Sequence, residues 1–223
     1  MKRILTLMAC TLLAACASDG AGRDPAVDSP QGALVAAIQS RLTSETPQDA
    51  REVLNARVVA GSPTALVLVV LEDVDAGLTM IPAAANRGTE QWRDGTGGGI
   101  LRRDGVLVGT RGLGFDLHNA EVAPLRRALR AGGGRNLRRV NLILDSTDRI
   151  VPVTYQCDVV RQGGQVLDFY GTRYATTIYD EVCRGAEDTF TNRYWVQGNG
   201  VVRRSVERVS PEVGNMQINL LKP

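Results

Sequence analysis

The 223-residue chain carries 26 basic and 24 acidic residues, and 43% of its side chains are hydrophobic but only 4% aromatic. So even a balance gives no global electrostatic argument for binding nucleic acid. The length suits one domain, and beyond the amino terminus no apolar run approaches the roughly 20 residues of a membrane-spanning helix.

The amino terminus reads as a lipoprotein signal. Lys2 and Arg3 give a charged start, and residues 4–13 form an apolar run in the range of a secretory h-region. Leu13-Ala14-Ala15-Cys16 then makes a lipobox, with two small residues before the cysteine that takes the lipid. The rival Leu7-Met8-Ala9-Cys10 leaves too short a run before it. Loss of residues 1–15 removes Lys2 and Arg3 and leaves 24 charges of each sign. Stable anchoring takes more than one acyl chain, each contributing about 0.8 kcal/mol per buried CH2; the two or three on a bacterial lipoprotein cysteine meet that need. Ala17 rather than Asp follows Cys16, which under the enterobacterial sorting rule directs the protein to the outer membrane, facing the periplasm.

Cys157 and Cys183 are left as a pair in an oxidising compartment, and a disulfide between them is expected. It would close a loop of about 25 residues, stabilising by on the order of 3 kcal/mol.

Residues 16–30, rich in Gly, Ser, Asp and Pro, read as a flexible tether, and residues 31–223 as a single domain. A helix is predicted after Ser29, with Leu34, Val35, Ile38 and Leu42 as its apolar stripe. A second short helix follows, with Thr46 as N-cap, Pro47 at N1, Asp49 at N3, and Val53 and Leu54 buried. Strands follow. Residues 65–71 are apolar on both faces, as in a strand covered on each side, with residues 78–84 as partner. The glycines at 95 and 97–99 form a loop after Trp92. Asp104-Gly105 marks a type I′ hairpin. From residue 137 the alternation is regular, with Val140, Leu142 and Leu144 on one face and Arg139, Asn141 and Asp145 on the other. Val151, Val153, Tyr155, Cys157 and Val159 repeat it. Gly163-Gly164 and Asn199-Gly200 read as turns, and Met216, Ile218 and Leu220 place a last strand. The sum is a mainly β chain: an antiparallel meander forming a lipocalin-like or split barrel, with one or two short N-terminal helices.

Catalytic and metal signals are sparse. His118 is the only histidine, no GxSxG elbow is present, and a lone histidine with a disulfide pair cannot make a zinc site. Neither a catalytic set nor a cofactor is expected. Two features suit binding. Arg126, Arg127, Arg130, Arg135, Arg138 and Arg139 run with no acid between them, and the arginine fork matches phosphate and carboxylate. Gly132-Gly133-Gly134 would let that stretch mould to an acidic polysaccharide or lipid phosphate. Eight of the ten aromatics lie between residues 155 and 195 and could stack on sugars, although strands favour aromatics in any case.

Trp92, Leu101, Asp104-Gly105, Leu107-Val108, Thr110, Gly112-Leu113 and Asp116-Leu117, with Tyr194-Trp195-Val196 and the terminal Leu221-Lys222-Pro223, resemble the YjbF/GfcB lipoproteins of capsule and exopolysaccharide operons. The resemblance implies a barrel-like outer-membrane lipoprotein that assists polysaccharide secretion beside a partner outer-membrane export protein, with no established catalytic residues. The Gly97-Gly98-Gly99 insert and the arginine cluster depart from it. A non-enzymatic assembly factor is therefore the leading expectation. A lipid or glycolipid carrier, marked by a large apolar cavity, and a polysaccharide-modifying enzyme, marked by two carboxylates on one cleft, are the alternatives.

Overall fold

The computed structural model describes residues 49–223 apart from 146 and 148. The lipobox, the tether, the first predicted helix and the Thr46-Pro47 start lie outside the described residues.

Twelve strands form one antiparallel sheet that curls into a nearly closed barrel. In chain order they are β1 (Leu66–Leu71), β2 (Ala76–Asn86), β3 (Thr89–Arg93), β4 (Gly99–Arg103), β5 (Val106–Arg111), β6 (Leu117–Glu121), β7 (Gly134–Leu144), β8 (Ile150–Phe169), β9 (Thr172–Arg184), β10 (Thr189–Gln197), β11 (Val202–Ser210) and β12 (Gly214–Lys222). Apart from β5 and β6, each strand pairs with its neighbour in sequence, and β1 pairs with β12. The one seam without a ladder therefore lies between β5 and β6.

Side chains clasp that seam. Thr110 Oγ1 donates to Asp116 Oδ1 (2.7 Å) and accepts from the Leu117 amide (3.0 Å), while Asp116 Oδ2 accepts from the Gly112 amide (2.8 Å). Arg111 reaches across to the Leu117 and His118 carbonyls. A Cβ on Gly109 would meet those same two carbonyl oxygens at 3.3 Å, so only glycine lets the edges approach without displacing them.

Among the described residues three helices accompany the sheet: α1 (Ala50–Val53), α2 (Ala56–Gly61) and α3 (Ala123–Ala131). Asp49, expected at N3 of the second predicted helix, instead caps α1, accepting from the Arg51 amide (2.8 Å). Leu54 is buried as expected, but Val53 is exposed, because a single turn turns only one narrow stripe inward. On β1, Val67 and Val69 face the barrel core, whereas Leu66 and Leu68 face an outer cluster with Ala50, Leu54, Val59, Leu167, Phe169, Trp195 and Leu221. The strand is covered on both sides, as its doubly apolar sequence predicts. The Asp104-Gly105 hairpin has the positive φ values of its predicted turn, 49° and 81°.

Three expectations are corrected. Gly163-Gly164 is not a turn: it lies within the 20-residue β8, at a shift of register between Arg161 and Gly163. The bulge exchanges the strand's two faces, so Val159 points into the barrel and Leu167 and Phe169 into the outer cluster. On β7, Arg139 and Asn141 face inward and are buried, while Val140 and Leu142 are only half-buried. Period-two alternation separates two faces but does not say which is inside. Finally, the stretch before Gly132-Gly133-Gly134 is not a mouldable loop but α3, which lays Leu125, Ala128 and Leu129 into the core and ends at Gly132 with φ 84°.

Cys157 and Cys183 are directly opposed on β8 and β9 and form the expected disulfide, S–S 2.05 Å, with Tyr155 and Phe190 packed edge to face beside it. Replacing both cysteines with alanine should destabilise the domain by about 2–4 kcal/mol, measured by urea unfolding in non-reducing buffer. A loss below about 1 kcal/mol would show the bond to be dispensable.

The Asp49 carboxylate also accepts from the Gly77 amide and the Arg51 guanidinium, and the Arg51 partnership holds its pKa down at about 2. The stability gained is therefore complete above the ordinary value of 3.8 and lost as pH falls through about 2. Asp49→Ala should cost about 1–2 kcal/mol at neutral pH, with the difference from wild type closing in acid.

Candidate functional site: a half-filled barrel

The inward side chains of β9 trace the layers of the interior. Cys183 belongs to the disulfide cluster, Glu181 to a buried polar layer, and Tyr179 and Thr177 to the wall of an open chamber. On β10, Phe190, Asn192, Tyr194 and Val196 repeat the order. The barrel is thus filled at one end and hollow at the other.

Arg139 Nη1 bonds both oxygens of Glu181 (3.2 and 3.0 Å), and its Nε donates to Asn141 (3.0 Å). Glu181 also accepts from Asn192 (2.7 Å). The Tyr194 hydroxyl lies 3.1 Å from Glu181 and 3.0 Å from Glu207, and Glu207 takes the Leu107 amide of β5 with both oxygens. Burial opposes the charge on Arg139, but Glu181, backed by Tyr194 and Glu207, keeps its pKa raised. Burial pushes the Tyr194 hydroxyl well up, with the two carboxylates adding to it, and pushes Glu207 up as well. One phenolic proton cannot satisfy both carboxylates, and of the two only Glu181 makes the direct ion pair with Arg139.

The chamber has a volume of about 1070 Å3. Its walls are β2 around residues 82–85, Trp92 of β3, the β4–β5 and β10–β11 turns, α3 through Leu129 and Arg130, and the end of β12 at Leu220. Gly105 is needed where the β4–β5 turn meets Val202, whose Cβ lies 2.8 Å from where a Gly105 Cβ would sit. Arg102 lines the chamber yet is only 1% exposed; its Nη2 donates to the Gly105 carbonyl (2.8 Å) and its Nε has no partner. Burial opposes its charge, and Glu207 and Glu90 act to sustain it.

The predicted arginine cluster is dispersed. Arg139 is in the buried network. Arg126 and Arg130 both pair with Asp104 at the chamber rim, an acid distant in sequence. Arg127, Arg135 and Arg138 are exposed. His118 is exposed on β6 and does not line the chamber. The resemblance residues sort by place: Trp92 and Asp104-Gly105 at the chamber, Thr110, Gly112, Asp116 and Leu117 at the seam, Tyr194 in the network. Trp195 lies in the outer cluster, its Nε1 donating to Gln165 (2.7 Å). Glu90 and Asp104 put two carboxylates on the chamber wall. Glu90 is bonded to Trp92 Nε1 (3.2 Å) and Asp104 to two guanidiniums. Glu181 lies within 4.8 Å of the cysteine sulfurs, but a disulfide offers no thiolate to a metal. Sequence reasoning missed the buried network and Arg102, because nothing local marks a charged residue as inward-facing.

Residues 33–221 match the protein family described as Group 4 capsule polysaccharide lipoprotein gfcB, YjbF. Among solved structures, the chain resembles the hypothetical lipoprotein YmcC of Escherichia coli K12, with a TM-score of 0.68 and 17% sequence identity over 87% of this chain and 96% of that one. At that identity the likeness shows the fold. No curated protein sequence matches the chain significantly.

Glu181→Gln should destabilise the domain by about 3–5 kcal/mol, because it strands the buried Arg139 charge. Glu207→Gln, which keeps acceptor and donor but no charge, should cost less than about 1.5 kcal/mol. Urea unfolding of the two variants tests the asymmetry, and equal losses would show that the direct ion pair with Arg139 carries no more weight than the other bonds of the network.

Proposed function

Because the chain belongs to the group 4 capsule polysaccharide lipoprotein family of YjbF and gfcB, we propose that it is a non-enzymatic outer-membrane lipoprotein that assists the assembly or export of a capsule or exopolysaccharide by holding a ligand in its barrel. The family supports the pathway, and the observation that carries the holding role is the chamber of about 1070 Å3 above a filled polar layer. A chamber of that size suits a small-molecule ligand or part of a larger one. Its two carboxylates are engaged, Asp104 by two cations and Glu90 by Trp92. Glycoside hydrolysis needs one carboxyl free to give a proton and another free to attack or activate water; this arrangement favours binding over turnover.

In this reading Cys16 carries the acyl chains, the domain faces the periplasm, and the partner is an outer-membrane export protein that receives the polymer. A second reading, a lipid or glycolipid carrier, is the one for which a large cavity was the expected mark, and the same chamber favours it, with Ala65, Pro82, Val196, Val202 and Leu220 in its wall. The two differ in whether the ligand leaves the membrane with the protein.

In a deletion strain, wild type should restore surface polysaccharide and fractionate with the outer membrane. Cys16→Ala should appear in the soluble periplasm or inner membrane and restore little. Normal surface polysaccharide from a fully released Cys16→Ala protein would remove the anchor from the mechanism.

A further inference from the structure

The chamber pairs a partly apolar wall with a buried, incompletely bonded cation. Arg102 faces inward from β4, opposite Glu90 on β3 and in line with Ile100 and Trp92. A 1% exposed guanidinium normally has its N–H groups paired, because a buried unmet donor costs more on a charged group than on a neutral one. Here the Nε is unmet. The nearby acids do not close the gap. Glu90 bonds Trp92, Glu207 bonds Leu107 and Tyr194, and among the described residues no carboxylate forms an ion pair with Arg102 within 4.0 Å. The wall carries an apolar strip through Pro82, Ala84, Val196, Val202 and Leu220, beside polar groups at Thr177, Gln197 and Asn199. A buried cation next to an apolar strip is complementary to a molecule with one anionic end and a hydrocarbon body.

We propose that the chamber binds an anionic amphiphile, a lipid phosphate or carboxylate, with its head on Arg102 and its chain along the apolar strip. The assignment rests on the holding role proposed above and names its ligand class. The Nε–H is sealed from solvent, so binding requires the Arg102 side chain to turn toward the head; the charge-assisted bond then formed is among the stronger hydrogen bonds available to a protein. Polar, uncharged sugar units alone would leave both the Nε–H charge and the apolar wall poorly matched. Arg130, exposed at the rim beside Asp104, adds a cation at the entrance.

The test is calorimetric titration of the chain from Ala17 onward with four single-chain amphiphiles below their micelle concentrations: dodecyl phosphate, dodecanoate, dodecyl maltoside and dodecyltrimethylammonium. The two anions should bind at one site per protein, at least tenfold tighter than the other two. A preference between phosphate and carboxylate identifies the head. Arg102→Gln should weaken the anions about 10- to 100-fold and leave dodecyl maltoside unchanged, with Arg102→Lys in between. Ala84→Trp, which narrows the mouth without touching the guanidinium, should weaken all binding. Equal affinity for all four heads in the wild type would overturn the anionic assignment while leaving the holding role in place, and so would an unaltered affinity in a folded Arg102→Gln. Binding of none of the four would count against both. Should Arg102→Gln fail to fold by circular dichroism, the head-group comparison on the wild type decides alone.

Discussion

The ion pair between Arg139 and Glu181 is the constraint around which the barrel is organised. Two charges withdrawn from water are tolerated only when their attraction and remaining hydrogen bonds replace hydration. Asn141, Asn192, Tyr194 and Glu207 provide those bonds. The resulting layer joins β7, β9, β10 and β11 and, through the Leu107 amide, the edge strand β5. It braces the side of the barrel where the ladder is broken. It also forms the boundary between the disulfide-closed end and the chamber, so ligand space exists only on one side of it.

Closure of the barrel is achieved by different means around its circumference. Eleven strand-to-strand ladders, including the pairing of first and last strands, use backbone hydrogen bonds. At the β5–β6 seam the backbone groups are met instead by Thr110, Asp116 and Arg111, with Gly109 permitting the approach. An edge left open would present unpaired amides to any passing strand. The residues that mark the family resemblance in this stretch are those that close the seam, so their presence reflects architecture more than ligand contact. Trp92, Asp104 and Gly105 are different, since they shape the chamber.

The outer cluster gives the long β8–β9 hairpin a second role. The bulge at Gly163 turns Leu167 and Phe169 away from the interior and onto the side where α1 and α2 pack. A hairpin that kept one face inward along its full length would have left those helices without a partner surface. The exchange also leaves the chamber end of the barrel free of bulky β8 side chains. Arg204 stacks near Phe169 and Trp195 on this outer face, and Arg203 lies 4.1 Å from the Tyr174 ring centroid. Two arginines of this lysine-poor chain, Arg203 and Arg204, thus serve packing as planar cations over aromatic rings.

By itself, the sequence determined what depends on neighbours along the chain. Alternation identified β7, the first half of β8 and β12, Asp104-Gly105 and Asn199-Gly200 identified two hairpins, and an isolated cysteine pair identified the disulfide, while β3, β6 and β9 went unread. Doubly apolar β1 correctly implied cover on both faces. Tertiary structure alone decided the sidedness of β7, where the polar parity turned inward because Glu181, 42 residues away, was there to meet Arg139. It decided that Gly163-Gly164 would bulge rather than turn, because β9 continues the pairing past them. It likewise dispersed six consecutive-looking arginines among a helix, a strand surface and the barrel interior. The chamber belongs to the same class of fact: a void is the space between residues distant in sequence, and its one unmet charge has no signature until those residues are brought together.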